Sequence, residues 1–218
     1  MRNSLNRSLI DNFRNKVINT TDYDKISKYY GPTTLIKYGN VNGKSHWNII
    51  CSAMDWITVV VPGIDLNRLG NQSKSNDPLD QAREMMSFIL FIDVLFESIK
   101  QLHRVFIDKD TIPFNGVSDI FNNQADDNTY FKTIRACFAV HPVNLNDSFT
   151  SNKKEKYYAG WSFPLYRDSM SVMIYGSQVG ATNTQLHVKS DDLFKFAKTR
   201  YEYLNEILKY IPPFANKG

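Results

Sequence analysis

A chain of 218 residues that is 42% hydrophobic and 22% charged is long enough to bury a core, which excludes a disordered or low-complexity polypeptide. The 26 basic and 22 acidic residues leave a formal charge of +4, which admits a polyanionic partner but is a slight imbalance for a nucleic-acid binder. Two cysteines, Cys51 and Cys137, are too few for a disulfide framework, and both are expected as reduced thiols packed in the core.

Residues 3 to 19 place Leu5, Leu9, Ile10, Phe13 and Val17 near helical spacing, which predicts a first amphipathic helix ended by Asn19-Thr20-Thr21. The same N-terminal stretch mixes Arg2, Arg7, Asn and Ser with isolated apolar residues, so it lacks the continuous apolar core of a signal peptide. From Asp22 to Lys44 the breakers Gly31-Pro32, Gly39-Asn40 and Asn42-Gly43 suggest a short helix and then a loop or hairpin. Residues 1–44 are therefore expected to form a helical and irregular extension.

Ser45 can cap a helix carrying Trp47, Ile50, Met54, Ile57 and Val61, which Pro62-Gly63 stops. Asp77-Pro78 reads as N-cap and first residue of a long helix that runs without breakers to about Phe106. Its apolar run from Ser87 to Phe96 is interrupted by Asp93 and is about half the length of a bilayer span, so no membrane segment is expected. The chain is expected in the cytoplasm.

Asn115-Gly116 opens a short piece around Val117 to Phe121, and Asp127-Asn128 caps a helix containing Tyr130, Phe131, Ile134, Cys137 and Phe138. His141-Pro142 closes that helix, because proline disfavours helical geometry in the residue before it. Residues 156–188 change to aromatic and β-branched runs punctuated by Pro164, Gly176 and Gly180, the pattern of a small antiparallel meander. Ser190, Asp191 and Asp192 start a last helix with Leu193, Phe194, Ala197, Tyr201, Leu204, Ile207 and Leu208 on one side, before Pro212-Pro213. The fold class is mainly α: a helical bundle over 45–218 with the meander inserted before its last helix.

Zinc and nucleotide signatures are missing from the sequence. There is no His-Glu-x-x-His, no Gly-x-x-x-x-Gly-Lys, no strand-embedded glycine fingerprint and no Gly-x-Ser-x-Gly elbow. No metal and no cofactor are expected. What remains is the segment from Tyr130 to Pro142, where Arg135 and His141 are separated by five residues near a helix end. Imidazole titrates near neutrality and can move a proton, while guanidinium offers planar, bidentate hydrogen bonding to phosphate. Six residues correspond to about 240° around a helix, so the two side chains converge only if the helix unwinds before Pro142 or a second protomer completes the cleft.

Asp93 and Glu97 lie in or beside the apolar stretch of the long helix, at a like-charge i,i+4 spacing that is unfavourable without a cation. Either could position Arg135. An ordinary ion pair for Arg135, and bonding of the last helical carbonyls by His141, are the structural alternatives. Lys132, Lys153 and Lys154 are candidates for contacting phosphate, and Tyr157, Tyr158, Trp161 and Tyr166 for stacking on bases.

The Arg135 to His141 segment resembles the signature of the HEPN superfamily, an Arg, four to six residues and a His near a helix end in an up-down bundle. Many members are dimers with both motifs in a shared cleft, and a number are metal-independent ribonucleases. The resemblance is close over residues 130–142 and loose over about 45–210. It implies a homodimeric, RNA-cleaving protein of toxin or phage-defence type, with an antitoxin or a nucleotidyltransferase as partner. Arg135 would hold the scissile phosphate and His141 would move the proton of a ribose 2′-hydroxyl. Ala136 stands where catalytic members usually carry Asn, Asp or His, so a non-catalytic module that binds RNA, a nucleotide or a protein is the second implication.

Overall fold

The computed structural model describes residues 3–18, 46–71, 77–108, 110–121, 125–140, 142, 145, 156–162 and 169–211. In chain order these form α1 (Arg7–Ile18), α2 (His46–Val60) with a 3₁₀ turn at Val61–Gly63, α3 (Leu66–Asn71), α4 (Pro78–Phe106) and α5 (Asp127–Arg135). A π turn at Ala136–Val140 follows, then β1 (Tyr157–Trp161), β2 (Ser169–Gly176), β3 (Thr184–Lys189), α6 (Ser190–Glu202) and α7 (Leu204–Tyr210). The protein is mainly helical with one small antiparallel sheet, as its periodicity suggested. Among the described residues no helix is long and apolar enough to cross a membrane.

The chain makes two units with interleaved sequence. One comprises Met1–Ser4, Gly63–Asp93 and Phe114–Ala197, the other Leu5–Pro62, Val94–Pro113 and Lys198–Gly218. Of the expected N-terminal extension, residues 1–2 and 19–44 lie outside the described residues. Its first helix, α1, belongs to the second unit.

In that second unit α1 buries Ile10, Phe13 and Val17, one stripe at three- and four-residue steps, and Phe13 meets Phe106 edge-on at 6.2 Å. The start of α1 is fastened by Tyr201, whose hydroxyl donates to the Asn6 carbonyl at 2.7 Å and accepts from the Ile10 amide at 3.1 Å. Lys16 donates to the Leu208 carbonyl, a cation on the C-terminal turn of α7.

His103 is buried in the same unit, with Nδ1 3.0 Å from the Tyr203 hydroxyl and Nε2 2.9 Å from that of Thr111. Burial pushes its imidazole below the usual 6.5, with nearby Asp108 opposing the shift. The unfolded chain therefore takes up this proton first as pH falls. The linked stability is complete above about 6.5, is lost as pH falls towards the lowered folded value, and then levels off. The melting temperature is expected to drop between pH 7 and 5, and His103→Gln to flatten that part of the profile. An unchanged profile in the variant would contradict the linkage.

The first unit contains the sheet, ordered β1-β2-β3 with both pairs antiparallel. Met170, Val172, Ile174 and Val188 are buried on one face, the alternation expected of a half-covered antiparallel sheet. Phe131 of α5 stacks on Phe196 of α6 at 4.4 Å, and Phe121 packs on Phe196 and Tyr130. These rings fix α5 in the unit.

Several local expectations needed correction. The short helix α3 was not foreseen, although Asp65 accepts from the Asn67 amide at 2.9 Å in the manner of an N-cap. The single last helix is two, because Tyr203 turns at ψ −17°, close to a 3₁₀ residue. The first of these, α6, does start at Ser190, as expected, directly after β3 ends at Lys189, and the buried Ser190 hydroxyl has no hydrogen-bond partner. Cys137 is buried as expected, but Cys51 is only half-buried.

Candidate functional site

The cap of α5 is Asp126, one residue before the expected position. Its backbone is extended, and its carboxylate accepts from the amides of Asn128 and Thr129 and from the Thr129 hydroxyl. Burial alone would raise its pKa, but these hydrogen bonds and the charge of Lys132 outweigh burial and hold it below the usual carboxylate range. Asp127 is buried and has a different task. It accepts from the amides of Asp119, Ile120 and Phe121 at 3.0, 3.3 and 3.1 Å, binding the preceding loop to the helix start.

With Phe131 and Ile134 buried, α5 delivers Arg135 as its last α-helical residue. The guanidinium Nη1 donates to both carboxylate oxygens of Asp93 on α4, at 2.9 and 3.1 Å. The side chains are 28% and 18% exposed. Arg135 Nε is buried and has no hydrogen-bond partner. Glu97, the other candidate partner, bonds Lys100 instead. The like-charge spacing of Asp93 and Glu97 is thus relieved by two different cations.

Removing either member of the Arg135–Asp93 pair leaves a part-buried charge without its partner. Asp93→Asn and Arg135→Met are each expected to cost about 2 kcal/mol in urea unfolding. The double substitution is expected to cost less than the sum by about 1 kcal/mol or more. Additive losses would show that the two groups do not support one another.

Beyond Arg135 the helix widens. The Ala136 amide is shared between the carbonyls of Lys132 and Thr133, and Ala136–Val140 continue as a π turn with Cys137 and Phe138 buried. π turns recur at functional sites because they re-aim the residues that follow. Unwinding before Pro142, one route by which Arg135 and His141 could converge, does not occur as far as Val140. Phe138 packs edge-on against Trp161 of β1 at 5.4 Å. Two hydrogen bonds lay the next residues along the open edge of β1: Ala159 N to the Pro142 carbonyl at 2.6 Å, and Leu145 N to the Tyr157 carbonyl at 3.0 Å.

His141, Lys153 and Lys154 lie outside the described residues. Lys132 is exposed on α5, three residues before Arg135. Burial pushes the Cys137 thiol up to about 12, so it is not a nucleophile at neutral pH. Among the described residues no group of three or more His, Cys, Asp or Glu side chains is placed to hold a metal ion.

Comparison with protein-family models, curated proteins and solved structures gave no match. The residues themselves carry the functional reading.

The strand register separates the aromatic candidates. Tyr157 and Trp161 share the core face of β1 with Ala159, whereas Tyr158 lies on the opposite face, directly across from Tyr175 of β2. Tyr166 lies outside the described residues. Sequence reasoning missed Tyr175. Its position in the alternation of β2, outward between the inward Ile174 and the glycine at 176, was the available signal.

Proposed function

We propose that this chain is a HEPN-type, metal-independent RNA-cleaving protein in which Arg135 binds the scissile phosphate and His141 moves the proton of the attacking 2′-hydroxyl. The observation that carries this reading is the state of the Arg135 guanidinium. Asp93 occupies Nη1 and fixes the plane of the group, while buried Nε has no hydrogen-bond partner. The side chain as a whole is 28% exposed, so its outer part can donate to a phosphate oxygen while Asp93 holds the group from α4.

In the reaction, His141 takes the 2′-hydroxyl proton as that oxygen attacks phosphorus. The bond from phosphorus to the 5′-oxygen breaks, and the imidazole returns a proton to the leaving oxygen. Arg135 stabilises the charge that builds on the phosphoryl oxygens. On this reading the working unit is a homodimer whose two motifs share one cleft.

The test is incubation of the purified chain with a labelled single-stranded RNA in EDTA. Cleavage is expected. RNA that stays intact would end the nuclease reading and favour a module that only binds RNA, a nucleotide or a protein. Ala136 supports that second reading, since a methyl group beside Arg135 cannot orient a substrate through hydrogen bonds.

A further inference from the structure

The described residues of the meander, 156–162 and 169–189, contain no aspartate or glutamate. Their cations are Lys156 at one end of the sheet and Lys189 at the other, with His187 beside Lys189 in the same alternation. On the face turned away from the core, Tyr158 and Tyr175 stand directly opposite each other, 37% and 42% exposed. Gly160 explains how the second ring is held. A side chain there would start 3.2 Å from Tyr175 Cε2 and 3.8 Å from its hydroxyl, so the tyrosine lies across the bare backbone of β1.

We infer that this outer face is a stacking platform for single-stranded RNA, which feeds the strand to the Arg135–His141 segment. The inference rests on the RNA-cleaving reading above. Two adjacent exposed rings can each take an unstacked base, and every base offers a π-face whatever its sequence. Lysines at both ends of the strands suit a phosphate backbone. The platform also adjoins the motif along the chain: Ala159, flanked by Tyr158 and Gly160, donates to the carbonyl of Pro142, the residue after His141. A duplex keeps its bases stacked inside and gains nothing from the rings.

The experiment measures fluorescence anisotropy of a labelled 2′-O-methyl oligouridine, which has no free 2′-hydroxyl to attack, against wild type, Tyr158→Ala, Tyr175→Ala and the two Phe variants. Each Ala change is expected to weaken binding about tenfold, each Phe change to stay within about twofold, and a duplex of equal length to bind less tightly than the single strand. Equal affinities across the series, tighter duplex binding, or no binding by wild type would overturn the platform. So would a dimer lost in the Ala variants with RNA affinity unchanged, which would assign the face to a second copy. Where an Ala variant fails to fold, photocrosslinking of wild type to 4-thiouridine RNA decides. Adducts are expected in the peptides of β1 or β2, and adducts confined elsewhere refute the proposal. RNA bound through these tyrosines but never cleaved would remove the nuclease reading and leave the platform standing, while cleavage with tyrosine-independent binding would do the reverse.

Discussion

His141→Ala is expected to slow RNA cleavage in EDTA by a factor of about 10² to 10⁴, the usual contribution of a positioned proton-transfer group. Arg135→Met is expected to cost a similar factor, about 10² to 10³, because a fixed donor aimed at developing phosphoryl charge acts mainly in the transition state. The two losses have different routes. In the proposed mechanism the imidazole is needed for the proton, whereas the guanidinium is needed for charge and is held in place by Asp93 at 2.9 and 3.1 Å. Asp93→Asn should therefore lower the rate as well, by loosening Arg135, while the cleavage site and products stay the same. Initial rates on a labelled oligonucleotide, with circular dichroism to verify folding, measure all three. Wild-type rates in His141→Ala would remove the imidazole from the mechanism.

Asp127→Ala is expected to destabilise the protein by about 3 kcal/mol in urea unfolding, because three backbone amides lose one charged, buried acceptor together. The effect should reach the site. The loop those amides belong to carries Phe121, which packs on Tyr130 and Phe196, and Phe196 in turn stacks on Phe131 one helical turn before Arg135. Asp127→Asn retains one acceptor oxygen and should cost roughly half as much. A loss below about 1 kcal/mol in Asp127→Ala would mean the loop is held by packing alone.

The parts of the fold that sequence made legible are those whose signal is local and repeated. Proline at the first position of α4 and an unbroken apolar stripe gave the long helix its start at Pro78 and its reach to Phe106. Alternation with glycine punctuation gave the three strands. Single-residue hydrogen-bond choices were not legible. Asp126 and Asp127 are chemically identical neighbours, and only the path of residues 119–121 decides which caps the helix and which anchors the loop. The turn at Tyr203 and the short α3 are likewise set by one residue each.

For the candidate site, composition pointed to a carboxylate partner for Arg135, because Asp93 interrupts an apolar run. Sequence could not choose between Asp93 and Glu97, since both lie on α4 and the choice depends on how α5 packs. The π turn left no sequence signal, because Ala136 to Val140 are ordinary helix-compatible residues. Tyr175 went unread because burial of its neighbours, not its own identity, places it outward.

The chemistry of the cut ends bears most directly on the central claim that Arg135 and His141 drive attack by the ribose 2′-hydroxyl. Products formed by the wild-type chain in EDTA are expected to carry a 2′,3′-cyclic phosphate and a 5′-hydroxyl, with no cleavage where a single 2′-deoxy residue precedes the scissile bond. A 3′-hydroxyl with a 5′-phosphate, or unchanged cutting at the deoxy position, would show that water is the nucleophile and would contradict it.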